Sequence, residues 1–429
     1  MIAVDALRAS GHELETRDPD PDRDRIDDVV PRLVILPRTG EAAAGALRWA
    51  AGQRLSVVIR GQGSKSGWGA RPPAVDVLLD MSMLNRILAH EAGDLTVTVE
   101  AGTRLRDLNA ALAPHRQWLA LDPPFGEQAT IGGLLATNDS GPQRHRFGTP
   151  RDLVIGIQLA TTDGQVAKSG GQVVKNVAGY DLSKIISGSF GSLAAIVAAT
   201  FKLAPVPEAS ATVAIDRLDP DGLASVADAI AASQLEPVAF DLHVEQPPQP
   251  APPRIDCLIR FASFRRVVEA ESASAAARIA GLNQPVTVVE GDAEREVWAS
   301  QSRRPWSGAG AVVRLAWRPG DVRPMLAAAI DSAGAQGFEL AGRLGAGSGL
   351  MRLAGPDRDQ RPVIERLRAS EALANVVVVR APLELRTREF VWGAPLNAAL
   401  MSGLKRELDP AGILGAGRGP VPSFVERPV

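Results

Sequence analysis

Downstream of residue 208 one order of elements occurs twice: strand, helix, strand, strand, helix, strand. In the first round, residues 211–215, 238–244, 255–261 and 285–289 read as strands, and 220–233 and 265–281 as helices. A linking helix near 293–302 precedes the second round. There, strands 311–317, 337–341, 349–354 and 375–380 alternate with helices 322–334 and 361–370. This β-α-β-β-α-β order, repeated, predicts two halves sharing one antiparallel sheet. The proline-rich run 246–253 has few ladder donors and reads as a stiff exposed connection.

Upstream, a helix over 40–52 follows Thr39, a plausible cap. The strand 55–59 then runs straight into Arg60-Gly-Gln-Gly-Ser-Lys-Ser-Gly-Trp-Gly69. Strands follow at 75–79 and 95–100. Thr103 is expected to cap a helix whose Leu105, Leu108 and Leu112 share one face, closed by Pro114. Strand 153–160 turns through Thr162-Asp-Gly-Gln165 onto 166–168, a short helix covers 181–186, and 193–203 is strand-like. Pro205 and Pro207 close this α+β region. The first 29 residues, with Asp18-Pro-Asp-Pro-Asp22 near their middle, read as a polar, solvated leader with no secretory pattern.

The loop at 60–69 has the makings of an anion nest: its glycines let backbone N–H groups converge, and Ser64, Lys65 and Ser66 add donors. Taken alone, an ordinary glycine-rich turn explains it equally well. Its spacing fits neither a P-loop, which needs Gly immediately before Lys, nor the dinucleotide fingerprint. Three further segments shift the balance. They are Ala129-Thr-Ile-Gly-Gly-Leu-Leu-Ala-Thr-Asn-Asp-Ser-Gly141, Gly170-Gly-Gln-Val-Val-Lys-Asn-Val-Ala-Gly-Tyr-Asp-Leu182, and Gly188-Ser-Phe-Gly-Ser-Leu193. Thr130 can cap a short helix, and the Gly132-Gly133 pair lets a ligand come close.

Composition now becomes informative. Only six lysines occur, and Lys65, Lys175 and Lys184 fall in or beside these segments, as does the sole tyrosine, Tyr180. That placement suits a site needing a compact cation, or simple helix-end charge. The 47 basic and 49 acidic residues nearly cancel, which makes nucleic acid an unlikely partner. One cysteine, Cys257, excludes an internal disulfide and an all-cysteine cluster within this chain, and five scattered histidines argue against a metal site. No apolar run is long enough for a membrane span.

In order along the chain, Arg60-Gly-Gln-Gly-Ser-Lys65, Thr130-Ile-Gly-Gly133, Ser140-Gly141, Arg151-Asp152, Lys175-Asn-Val-Ala-Gly-Tyr-Asp181 and Gly188-Ser-Phe-Gly191 resemble the FAD-linked oxidases. These are vanillyl-alcohol-oxidase-like flavoproteins with a PCMH-type FAD domain. The likeness is greatest to the FAD-binding subunit of glycolate oxidase, and Leu408-Asp-Pro-Ala-Gly-Ile-Leu-Gly-Ala-Gly-Arg418 supports it. The resemblance implies an α+β fold: a two-part PCMH-type FAD-binding domain at 30–207 behind the 1–29 leader, then an α+β cap at 208–395 made of ferredoxin-like halves. A C-terminal helix and loop at 396–429 would return to the FAD domain.

The resemblance also implies roles for single residues. Gly61, Gln62, Gly63, Ser64 and Lys65 would hold the FAD pyrophosphate. Pro123, Thr130, Ile131, Gly132, Gly133, Asn138, Ser140 and Gly141 would line the cofactor, Gly191 and Ile196 would flank the flavin, and Asn176 and Tyr180 would stand near it. Many relatives tether FAD through a histidine in the first loop; here Lys65 stands in that neighbourhood, so FAD is expected to be noncovalent.

Catalytic relatives carry Ser-Gly-Glu-His-Gly in the cap, whereas this chain has Ala341-Gly-Arg-Leu-Gly-Ala-Gly-Ser-Gly349. The general base that a 2-hydroxy acid needs is missing there. The catalytic residues are therefore unassigned. Arg314, Arg343 and Arg352 could anchor a carboxylate or serve as salt-bridge partners. Gly415-Ala416 replaces the family's Asn-Pro, which weakens the expected tail contact to the flavin. The chain is expected to be an FAD-binding subunit of a glycolate-oxidase-like dehydrogenase complex. A second flavoprotein subunit would abstract hydride, and an iron–sulfur subunit would carry electrons onward. The alternatives are a self-sufficient FAD-dependent dehydrogenase, with Glu384 or Asp331 as base, and a flavin-retaining scaffold. The expected place is the cytoplasm, with any inner-membrane association made through partner subunits.

Overall fold

In the computed structural model of the chain (described residues 5–8, 13–171, 181–248, 251–355 and 360–421), helix Gly40–Gly52 occupies a middle layer. Its Thr39 cap accepts from the Ala42 amide at 3.1 Å. Its Ala43, Ala44, Ala46, Leu47 and Ala50 share one core with Ile35, Val57 and Leu79 of one sheet and Ala195 and Val197 of another. A helix pressed from two sides has room only for small side chains, which accounts for its alanine content. Two compact units divide the chain: residues 1–140, 149–206 and 387–429, and residues 141–148 and 207–386.

The first unit holds both of those sheets. The four-stranded sheet runs Leu14–Arg17, Leu33–Pro37, Val77–Asp80, Val57–Arg60, with the first pair antiparallel and the others parallel. The five-stranded antiparallel sheet runs Ile87–Glu91, Thr96–Glu100, Ala195–Lys202, Val154–Ala160, Val166–Gly170. Successive strand residues serve opposite faces: Val197 joins the core around helix Gly40–Gly52, while Ile196 packs with Leu105, Leu108, Leu112, Ile131 and Leu135. Each leucine so buried contributes about 1.5–3 kcal/mol.

Two expectations change here. Residues 13–29 are not solvated throughout: Leu14–Arg17 is a paired strand, and Asp24 and Ile26 are buried. The acidic segment folds because Arg17 and Arg60 neutralise Asp24. Thr103 does not cap helix Leu105–Leu112, whose N-terminal residue Arg104 makes no side-chain cap. The Leu105 amide donates instead to the Ala129 carbonyl at 2.9 Å, so a neighbouring loop satisfies the helix end.

The second unit is one eight-stranded antiparallel sheet. Its order is Val286–Glu290, Ala209–Leu218, Arg254–Ser263, Ala239–Gln246, Phe338–Arg343, Ser348–Leu353, Val312–Ala316, Asn375–Arg380. Each half repeats the same strand order in mirror sequence, and the halves join where His243 lies opposite Ala341. The expected pair of ferredoxin-like halves sharing a sheet is what the backbone forms. Segment 141–148 belongs to this unit: His145 meets Phe240 edge-on at 6.4 Å, and Arg146 pairs with Glu236 at 2.8 Å. Among the described residues no helix is long and apolar enough to cross a membrane.

Candidate functional site

Strand Val57–Arg60 delivers its last residue into a charge network that fixes the start of the glycine loop. Arg60 donates to Asp24 at 2.9 Å, to Asp80 at 3.0 Å and to the Arg23 carbonyl at 2.9 Å. Burial opposes the charge on Asp24. Hydrogen bonds from Arg17, the Asp20 amide, Arg60 and Arg23 outweigh it and hold the carboxyl well below the usual carboxylate range.

Beyond Arg60 the loop turns through Gly63 and Gly69, both at positive φ (76° and 90°). Its internal turns are closed by the Ser66 amide on the Gly63 carbonyl and the Trp68 amide on the Lys65 carbonyl, each at 3.0 Å. The amides of Gln62, Gly63 and Ser64 donate to no acceptor among the described residues. Free amides in succession on a glycine loop are the donor set of an anion nest. Gly61 cannot carry a side chain, because its Cβ would lie 2.3 Å from Thr130 Oγ1.

Thr130 caps helix Ile131–Thr137, accepting from the Gly133 amide. The Gly132 amide donates to the Ala101 carbonyl at 2.8 Å, and a Cβ on Gly132 would stand 2.9 Å from the Ala101 methyl. One cavity gathers these pieces: Gly61, Gln62, Gly63, Ser64, Lys65, Thr130, Gly132, Gly133, Gly191 and Ile196 all line it. Its apolar wall comes from residues that sequence reasoning missed, among them Ile26, Val58, Trp68, Met81 and Phe190. Two of these carried a signal in the sequence: Trp68 lies between Gly67 and Gly69, and Phe190 precedes Gly191 and adopts a positive φ of 55°.

Lys65 is buried. Its ammonium lies 3.4 Å from Asp139 Oδ2, donates to the Pro124 carbonyl at 3.4 Å, and sits 5.5 Å from the Trp68 ring centroid. The tail also reaches this cavity, through Gly415 and Arg418. Arg418 donates to the Ser66 and Trp68 carbonyls, and its own carbonyl accepts from Ala70 at 3.1 Å and from Trp392 Nε1 at 2.9 Å. The replacement of Asn-Pro by Gly-Ala therefore does not withdraw the tail from the cavity wall.

Other expected positions lie off the cavity wall. Ile131 is wholly in the core, and Asn138 is a left-handed helix cap whose Oδ1 accepts from the Arg151 amide at 3.1 Å. Pro123 and Ser140 do not line the cavity, and Gly141 belongs to the second unit. Asn176 and Tyr180 lie outside the described residues.

In the second unit the three arginines separate. Arg352 is engaged, bonding Glu339 at 2.6 Å. Glu339 in turn meets His243 Nε2 at 3.2 Å, and Asp256 lies 3.7 Å from its Nδ1. Burial disfavours a charged His243, yet bonds to Asp256 and Glu339 outweigh it and raise its pKa. Arg314 sits mid-strand opposite Leu350. Arg343, opposite Asp241 in register, has no side-chain hydrogen bond or ion pair among the described residues, and its Nε is buried. Glu384 and Asp331 are both exposed.

The comparisons with known proteins agree with this geometry. Residues 31–170 match the FAD binding domain family. Glycolate oxidase subunit GlcE of Escherichia coli K12 is 38% identical over 158 residues, 37% of this chain and 45% of that protein. Glycolate oxidase subunit GlcD of Bacillus subtilis is 30% identical over 218 residues, 51% of this chain and 46% of that protein. A mitochondrial D-lactate dehydrogenase (cytochrome) of Arabidopsis thaliana is 34% identical over 181 residues, 42% and 32% of the two chains. The chain thus spans less than half the length of each of these relatives. Among solved structures, alkyldihydroxyacetonephosphate synthase matches with a TM-score of 0.67 at 16% identity, covering 90% of this chain and 77% of that one. That likeness concerns the fold alone.

Residues 31–170 therefore place the chain in the class of proteins that carry a PCMH-type FAD-binding domain. Within that class the chain is related to the FAD-linked oxidases of the glycolate oxidase type. The residues present fit the cofactor: a diphosphate needs free amides, and an isoalloxazine needs an apolar wall reached past glycines. Loop Gly61–Lys65 and the wall of Val58, Phe190 and Ile196 supply both.

Proposed function

We propose that this chain is the FAD-binding subunit of a 2-hydroxy-acid dehydrogenase complex of the glycolate oxidase type, with FAD held noncovalently. Bound FAD supplies a two-electron acceptor. The chain's own residues bind and orient it: the Gln62–Ser64 amides take the diphosphate, Lys65 contributes a partly balanced cation, and the apolar wall excludes water. Thr130, Gly132, Gly133, Gly191 and Ile196, which line the same cavity, belong to the same proposal, as do Asn176 and Tyr180. Support for a complex comes from the word subunit in the names of two relatives, GlcE and GlcD.

The observation that carries the division of labour is the segment 341–349. It offers no carboxylate or imidazole of its own, and its Gly345 is packed by His145, whose Nδ1 would lie 2.0 Å from a Gly345 Cβ. A companion flavoprotein subunit then takes the substrate's proton and electrons, and an iron–sulfur subunit accepts the electrons while the proton passes to solvent, in the cytoplasm or at the membrane surface.

The purified chain is expected to show flavin absorption bands, and acid precipitation should leave the flavin in the supernatant. Glycolate or lactate should bleach that flavin negligibly without a partner. Flavin retained in the precipitate would refute noncovalent binding. Rapid bleaching by the single chain would refute the division of labour.

A second reading, a self-sufficient dehydrogenase, is favoured by Arg343, which has no side-chain partner among the described residues. On that reading Arg343→Ala raises KM for a 2-hydroxy acid at least tenfold with kcat little changed. Arg352→Ala instead lowers stability by leaving Glu339 with His243 alone. Equal, small effects of both on KM would dismiss the reading.

A further inference from the structure

The last turn of helix Ala398–Leu408 carries a lysine that the site described above does not use. Lys405 is 2% exposed. Its ammonium donates to Asp409 Oδ2 at 2.5 Å, the Ser192 carbonyl at 2.8 Å and the Leu414 carbonyl at 2.9 Å. All three ammonium protons are used. Asp409 is equally enclosed, at 0% exposure. Its two oxygens accept from the Ile413 amide at 3.2 Å and the Leu414 amide at 2.8 Å.

The two carbonyls are not arbitrary. Ser192 follows Gly191, and Leu414 precedes Gly415, and both glycines line the cofactor cavity. The two loops also touch, since a Cβ on Gly415 would stand 3.3 Å from the Ser192 Cβ. The closing loop is further stitched to strand Val57–Arg60, with the Val57 amide on the Ile413 carbonyl at 2.8 Å and the Gly415 amide on the Val57 carbonyl at 2.9 Å. One ammonium thus ties together two walls of the cavity that lie more than two hundred residues apart in sequence.

We infer that Lys405 is a positioning residue: with Asp409 it fixes the Gly191 and Gly415 walls at the spacing the bound flavin requires. This rests on the reading of the cavity as an FAD site. A buried pair with every polar atom satisfied is the arrangement in which charge specifies one geometry. Methionine in place of Lys405 keeps the volume and removes all three bonds.

The test titrates FAD into the apo forms of the wild type, Lys405→Met, the charge-neutral double variant Lys405→Met/Asp409→Asn, and Leu400→Ala. Leu400 is exposed on the same helix and serves as control. Lys405→Met and the double variant should bind FAD at least tenfold more weakly. At saturating FAD, their visible circular dichroism should differ from the wild type, whereas Leu400→Ala should match it. Wild-type affinity and an unchanged flavin spectrum in either Lys405 variant would overturn the inference. Should Lys405→Met fail to fold, the double variant decides the matter. Absence of FAD binding by the wild type would instead remove the flavin reading itself, so the two failures are distinguishable.

Discussion

Asp24→Asn is expected to lower the stability of the first unit by about 3 kcal/mol at pH 7 and its melting temperature by roughly 6–12 °C. The carboxylate is fully buried, receives Arg17 Nη2 at 2.9 Å and Arg60 Nη2 at 2.9 Å, and accepts from the Asp20 amide at 2.8 Å. An asparagine keeps the shape but turns one acceptor into a donor facing two guanidinium groups. Because the folded carboxyl is held below its ordinary range, its contribution is complete above the unfolded pKa of about 3.9. The contribution disappears as pH falls through the folded value. The gap between wild-type and variant melting curves should therefore stay constant from about pH 5 to 8 and narrow below about pH 4. A gap that persists unchanged at pH 3 would show that packing, not charge, holds the segment. Arg60 leads into the cofactor loop, so FAD affinity should fall with stability at neutral pH.

That segment also marks where the sequence stops being legible. Its Asp-Pro-Asp-Pro-Asp run has the composition of a solvated leader, and burial of Asp24 depends on Arg17 and on Arg60, a partner 36 residues away. Local patterns were read correctly where the cause is local. Thr39 and Thr130 cap their helices, and the twice-repeated strand order gives the joined sheet. Thr103 has the same local signature as Thr130, but the Ala129 carbonyl had already taken the amide it would serve.

At the site, the glycine loops were visible because a cavity wall without side chains leaves glycine in the sequence. The apolar wall was not, since Ile26, Val58 and Met81 look like any core residues until the fold turns them inward. The Arg418 clamp on Ser66 and Trp68 joins residues about 350 positions apart, with no periodicity to announce it. Arg343 and Arg352 are alike as letters, and only the fold brings Glu339 within reach of Arg352.

Gly61→Ala is expected to weaken FAD binding at least tenfold, about 1.4 kcal/mol, while the same change at Gly67 leaves binding intact. The two glycines share a loop but not surroundings. A Cβ on Gly67 meets nothing within 4 Å, whereas one on Gly61 falls 2.3 Å from Thr130 Oγ1 and 3.0 Å from its Cγ2. Gly61 has no positive φ, so space rather than backbone conformation makes it glycine. To admit the methyl, either the Thr130 hydroxyl must leave its cap, costing about 1 kcal/mol, or the loop must lift away and misplace the Gln62–Ser64 amides. Thr130→Ala removes the two nearest atoms in conflict, leaving its own Cβ at 3.1 Å, at the expense of the cap. In that background Gly61→Ala should cost less, leaving a coupling of about 1 kcal/mol between the two positions. Melting temperatures and FAD titrations on the four proteins of the cycle measure it. Strict additivity would mean that Thr130 does not set the constraint, and that the loop is shaped by its own turns alone.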